Sequence, residues 1–106
     1  MLYKLRTGDI LLCKNKPLNQ TNAYLIVRDT YYGFGLWCLS CGEAVGFYGD
    51  DTEKMKSDLL NKDFLNLQHI IPKEVIADYF NNNYKLDVPV RPHDGFTELN
   101  IEIDME

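Results

Sequence analysis

The first half of the chain alternates apolar and polar positions in short runs, which is the period of a β-strand. Residues 2–6 alternate apolar and basic side chains, and Ile10–Cys13 is an apolar run too short for a helix. With Thr7-Gly8-Asp9 as a turn, they predict one long bent strand or two short ones. Ala23–Val27 is rich in β-forming residues and predicts a strand whose Leu25 and Val27 we expect in the core.

A β-hairpin follows. Residues 34–40 alternate, so Cys38 is expected on one face of the strand and Trp37 on the other. Cys41-Gly42 supplies turn chemistry, which can lead the chain into a second strand over residues 43–48.

The second half predicts two short helices. Asp50 and Glu53 have the spacing of a capping box, and a narrow apolar stripe continues to about Asn61. After an extended segment over residues 64–71, Pro72 is well placed to begin a second helix that ends in a run of asparagines. The expected apolar side of this helix consists of Val75, Ile76, Tyr79 and Phe80.

The last part of the chain returns to strand periodicity. Residues 84–90 alternate, but Pro89 would restrict them to a sheet edge. Residues 93–106 predict either an acidic edge strand or a flexible tail. As a strand, this segment would hold apolar side chains on the sheet and acidic ones outward: Leu99, Ile101 and Ile103 inward, and Glu98, Glu102 and Asp104 outward.

These elements predict one domain over residues 1–106. The expected class is α+β, a small bent antiparallel sheet or an SH3-like barrel with two short helices. A two-layer sheet with helices on one face is the alternative.

Charge and composition reduce the number of function classes that fit the chain. Sixteen acidic residues against eleven basic ones give a net charge of −5, so binding to nucleic acid is disfavoured. The sequence shows neither a signal peptide nor an apolar run long enough to cross a membrane. Three cysteines, an odd number, argue against a disulfide framework and favour a reducing compartment such as the cytoplasm.

Cys38-Leu39-Ser40-Cys41-Gly42 is the sharpest local pattern, because two cysteines at this spacing on a turn can bind one zinc ion. A structural zinc site needs four ligands, and no second pair has the usual spacing. We therefore expect Cys38 in the core, Cys41 at a hairpin turn, and no metal or cofactor. A redox pair is the weaker reading, because such cysteines usually stand at a helix start.

A cysteine hydrolase would need a histidine beside Cys38 or Cys41. His69 fits a half-buried strand position, and His93 lies in a predicted turn beside Pro92 and Asp94, so we predict no enzyme.

Two features suit a binding surface. Aromatic side chains crowd residues 31–48, where alternation should leave some exposed, and the acids of the C-terminal segment form the second feature. The predicted partner-binding residues are Tyr31, Tyr32, Trp37, Glu98, Glu102 and Asp104.

The segments 4–11, 23–27 and 36–42 together resemble small uncharacterised phage and prophage proteins, which often open with a Gly-Asp turn and continue with a YLIV strand and a hairpin. This resemblance implies a small barrel of mobile-element origin. Small acidic proteins of that class often bind and inhibit host machinery, as anti-CRISPR proteins do. We expect a non-enzymatic protein that binds a protein partner, and a partner with a basic surface is one form of this expectation. A zinc-stabilised or single-strand-binding barrel is the alternative.

Overall fold

A computed structural model describes residues 2–15, 19–81, 96–97 and 99–104. The strands and helices of these residues follow one another in this order: β1 Tyr3–Leu5, β2 Ile10–Asn15, β3 Gln20–Asp29, β4 Gly33–Cys38, β5 Glu43–Gly49, α1 Thr52–Leu60, β6 Leu67–Ile71, α2 Lys73–Asn81 and β7 Ile101–Ile103. The segment 84–90, expected as an edge strand, lies outside them.

Five of the strands form an antiparallel sheet in the order β5-β4-β3-β2-β6. The remaining two, β1 and β7, pair in parallel, with Tyr3 opposite Ile101 and Leu5 opposite Ile103. The expected α+β class, with a mainly antiparallel sheet and two helices, is confirmed. Among the described strands β5 and β6 remain the two edges, so this sheet is not closed into a barrel.

One hydrophobic core joins the two sheets. Its side chains come from one face of the five-stranded sheet, from the β1–β7 pair, from α1 and from the turn that follows α1. The buried members are Leu5, Leu11, Cys13, Tyr24, Ile26, Phe34, Leu36, Cys38, Met55, Leu59, Leu65, Leu67, Ile70, Ile101 and Ile103. We call the sheet face that carries this core the inner face.

Strand β3 buries Tyr24 and Ile26, while Leu25 and Val27 are only half-buried on the opposite face. The expectation that Leu25 and Val27 lie in the core is therefore wrong. The error arises because β3 is an unbroken apolar run, and such a run does not show which set of alternate side chains faces the core.

Helix α1 begins one residue later than its predicted capping box requires. The N-cap is Asp51, whose side chain accepts a hydrogen bond from Lys54 N at 3.0 Å, so the pairing of Asp50 with Glu53 is wrong. The carbonyl oxygen of Asp50 instead accepts from Thr52 N at 2.9 Å. Met55 on this helix is buried, as the apolar stripe predicted.

Helix α2 begins directly after Pro72, as predicted. None of its described side chains is fully buried: Val75, Ile76 and Tyr79 are half-buried, and Phe80 is exposed. Its apolar side therefore lies at the margin of the fold.

Strand β7 buries Ile101 and Ile103 and exposes Glu102. Leu99, expected to face inward, is 93% exposed, because it lies in a turn in which Asn100 N donates to the Thr97 carbonyl oxygen at 3.2 Å. Asp104 is half-buried rather than outward.

Asp9 is the one charged side chain that is buried among the described residues. Its carboxylate accepts hydrogen bonds from Arg6 N at 2.9 Å and from Lys73 N, the first residue of α2, at 2.8 Å. Its carbonyl oxygen accepts from Ile26 N at 3.1 Å. One residue thus connects the β1–β2 turn to both α2 and β3.

We expect Asp9→Ala to lower the free energy of unfolding by about 2 to 4 kcal/mol, because it leaves two backbone N–H groups without their acceptor. The matched control is Asp78→Ala, which removes an exposed carboxylate from α2 and should change stability by less than about 0.5 kcal/mol. A urea titration measures both, and equal losses would contradict the role assigned to Asp9.

We expect Ile26→Ala to cost about 2 to 5 kcal/mol, since it empties a fully buried position. Its neighbour Leu25→Ala removes a side chain of the same size from the half-buried face and should cost about 1 kcal/mol. Equal midpoints for the two variants in chemical denaturation would mean that the faces of β3 are assigned the wrong way round.

Candidate protein-binding face

The second face of the five-stranded sheet, which we call the outer face, follows from the strand register. Residues directly opposite each other in an antiparallel sheet lie on the same side. Three central rows of paired residues cross this side of the sheet: His69, Leu12 and Ala23; Ile71, Ile10, Leu25, Trp37 and Ala44; and Val27, Gly35 and Phe47. Lys14, paired with Thr21, and Asp29, paired with Gly33, lie on the same side at the two ends of these rows.

The outer face carries no Asp, Glu, Lys or Arg in these three rows of described residues. Ile10, Leu12, Leu25 and Val27 are half-buried, whereas Trp37 is 40% exposed. An antiparallel sheet with one face in water normally alternates apolar and polar side chains along each strand. Strands β2 and β3 are apolar on both faces, which is the pattern of a sheet that is covered on both sides.

Phe47 lies against the backbone of Gly35. A Cβ atom on Gly35 would lie 2.6 Å from Phe47 Cδ1 and 3.0 Å from the Gly46 carbonyl oxygen, so glycine is the residue that lets the ring lie flat here. The ring nevertheless remains 43% exposed. It therefore presents its other side outward.

An aromatic row continues from Phe47 to the β3–β4 turn. The rings of Phe47 and Tyr32 are 5.3 Å apart between centroids, and those of Tyr32 and Tyr31 are 4.8 Å apart in an edge-to-face arrangement. Both tyrosines are exposed. Asp29 fixes the turn, because its Oδ1 accepts from Tyr31 N at 2.7 Å and from Tyr32 N at 2.8 Å.

The same hydrogen bonds act on the Asp29 carboxyl. The backbone N–H groups of Tyr32 and Tyr31 stabilise its charged form and lower its pKa. The carboxylate therefore keeps the turn together above the ordinary range of aspartate titration, and this contribution is lost as the pH falls through the lowered pKa.

The predicted binding residues do not form one patch. Tyr31, Tyr32 and Trp37 lie on the outer face or at its end, whereas Glu102 points outward from β7, which packs on the inner face. The core thus separates the aromatic residues from Glu102. Glu98 lies outside the described residues.

The sequence interpretation missed most of the outer face. Ile10, Leu12 and Phe47 were not selected, and Leu25 was assigned to the core. The signal was present in the unbroken apolar runs of β2 and β3, since strands buried on both faces do not alternate.

The cysteines lie as predicted, with Cys38 buried and Cys41 exposed in the β4–β5 turn. No cluster of three or more His, Cys, Asp or Glu side chains that could hold a metal ion occurs within residues 2–15, 19–81, 96–97 and 99–104. His69 belongs to the outer face and Cys38 to the inner face, so the sheet separates this cysteine–histidine pair. His93 lies outside the described segments.

Comparisons with known proteins add no relative: no family model, no curated protein and no solved structure matches the chain significantly. Neither helix in the described part of the chain is long and apolar enough to cross a membrane.

We expect the purified domain to contain no stoichiometric zinc, because Cys38 is a buried core member and Cys41 has no further ligands grouped with it in the described residues. Elemental analysis of protein purified without chelator measures the metal content. One zinc per chain, with unfolding on chelation, would contradict this prediction.

Proposed function

We propose that the chain is a non-enzymatic protein-binding domain that docks on its partner through the outer face. The main support for this proposal is that three rows of this face contain no Asp, Glu, Lys or Arg, although the chain as a whole has a net charge of −5. Contiguous apolar surface of this kind on a small domain marks an interaction site.

The aromatic side chains supply the anchors. Trp37 and Phe47 project from neighbouring strands, and Tyr32 extends the same surface beyond the sheet. Large, partly exposed aromatic residues at the centre of an interface carry a disproportionate share of its binding energy. Because Phe47 is held on Gly35, its ring is already ordered before binding, which reduces the entropy lost on association.

The charge distribution specifies the partner's chemistry. We infer a protein surface with an apolar centre and basic surroundings, because such a surface matches a face with an uncharged centre on an acidic domain. Glu102 lies on the far side of the core, so it would contribute to long-range attraction rather than to contact.

The resemblance to small phage proteins supports a more specific role. On that basis the domain would modulate or inhibit a host or phage protein in the cytoplasm, and an anti-CRISPR-like inhibitor is one form of this function. The small size and the acidity of the chain are compatible with it.

A second candidate is a domain that binds single-stranded nucleic acid. The row of Tyr31, Tyr32 and Phe47 favours it, because exposed rings can stack on bases. The net charge of −5 opposes it, since phosphates require basic side chains along the strand.

The test compares three variants against a partner isolated by crosslinking from the host. We expect Trp37→Ala to weaken binding by about thirtyfold, the effect of losing one interface anchor. Phe64→Ala is the matched control, because Phe64 is 39% exposed against 40% for Trp37 but lies outside the three rows. Glu102→Gln should leave the dissociation rate unchanged. Thermal midpoints verify that each variant is folded.

Equal losses for Trp37→Ala and Phe64→Ala would contradict the outer face as the docking surface. Slower association of Glu102→Gln, with wild-type binding by Trp37→Ala, would move the interface to the β7 side. Salt-sensitive binding to a single-stranded oligonucleotide, lost in Trp37→Ala, would support the second candidate instead.

A further inference from the structure

Cys38 and Cys41 lie three residues apart at the β4–β5 turn and line the same depression. They share a side-chain hydrogen bond, and the turn is closed by Gly42 N, which donates to the Cys38 carbonyl oxygen at 2.8 Å. Gly42 adopts a positive φ of 76°, a conformation that glycine takes without strain. This hydrogen bond closes the turn and keeps the two cysteines near each other.

The surroundings give this pair access to solvent. Cys41 is exposed, and both cysteines line an open depression of about 420 Å3 together with Asn22, Tyr24 and Glu43. Cys38 is only 3% exposed, so a reagent must reach the pair through Cys41.

We propose that Cys38 and Cys41 form a reversible redox site, which closes into a disulfide when the domain meets a low-molecular-weight disulfide of the oxidised glutathione class. Disulfides require Cα atoms about 4.4 to 6.8 Å apart. Residues three apart in a tight turn keep their Cα atoms within about 7 Å, so the bond can form without rearranging β4 and β5. The proposal does not depend on the function of the outer face.

The chemistry proceeds in two exchanges. The Cys41 thiolate attacks one sulfur of the small disulfide, which breaks the S–S bond, forms a mixed disulfide and releases one small thiol. Cys38 then loses its proton to water, and its thiolate attacks Cys41 Sγ, which releases the second small thiol. The protein loses two electrons and two protons, and the small disulfide is reduced to two thiols.

The environment sets the pH dependence of the first exchange. The hydrogen bond with Cys38 stabilises the protonated thiol of Cys41 and raises its pKa above that of a free thiol. Below that pKa the thiolate fraction, and with it the rate, should rise about tenfold for each pH unit. Cys13 provides an internal comparison, because burial raises its pKa to about 12 and it is fully buried in the core.

The experiment treats the full chain with oxidised glutathione, quenches with acid and alkylates the remaining thiols in denaturant. We expect a product about 2 Da lighter than the reduced chain. Of the three cysteines it should retain only Cys13 for alkylation, and peptide mapping should recover a Cys38–Cys41 crosslink. Cys41→Ser, an exposed substitution, should show no loss of two hydrogens.

A second experiment tests whether the fold promotes the disulfide, or whether the spacing of the two cysteines alone is enough. The equilibrium for intramolecular disulfide formation should favour the folded chain over the urea-unfolded chain by about tenfold, because folding holds the sulfur atoms together. A stable mixed disulfide at Cys41 with Cys38 still alkylated would overturn the proposal. Equal equilibria in the folded and unfolded chains would do so as well.

Discussion

The hydrogen bonds of the buried Asp9 carboxylate fix the junction on which the rest of the fold depends. A charge inside a protein is costly unless donors surround it. Here the donors come from both the β1–β2 turn and the start of α2, through Arg6 N and Lys73 N. The Arg6 guanidinium, 3.4 Å from the same carboxylate, also binds the carboxylate of Glu74 on α2. Because Ile26 N donates to the Asp9 carbonyl oxygen, the same residue positions β3.

This junction determines how the two faces of the large sheet are used. Beyond it β1 pairs with β7, and this small sheet covers the inner face with α1, so the main core cluster forms on that side. On the outer face Ile71 is buried as well, but it lies outside this cluster. The β4–β5 hairpin contributes side chains to both faces of the sheet. Trp37 and Phe47 project outward, while Cys38 points inward and contacts Cys41 at the turn.

Sequence reasoning succeeded where the determinants are local. The β4–β5 hairpin follows from alternation and a glycine turn, and α2 follows from Pro72. It failed where contacts between distant segments of the chain determine the structure. The parallel pairing of Tyr3 with Ile101 has no local signal. The SH3-like barrel was expected from short strands with tight turns, which do not determine whether a sheet closes. The bond from Lys73 N to Asp9 is equally invisible in the sequence. In β3, the unbroken apolar run does not show which set of alternate side chains faces the core. Only the packing of the folded chain buries Ile26 rather than Leu25.

The placement of charge is compatible with the proposal that this acidic chain docks through an apolar face. Each charged group that is buried at an interface without a partner costs several kcal/mol in lost hydration, roughly the contribution of an aromatic anchor. A face whose three rows contain no Asp, Glu, Lys or Arg avoids this cost. Glu102 lies beyond the core and can attract a basic surface without being desolvated. Under the proposed function, attraction and contact would lie on opposite sides of the domain, so variation in the acids would adjust the speed of encounter without altering the contact itself.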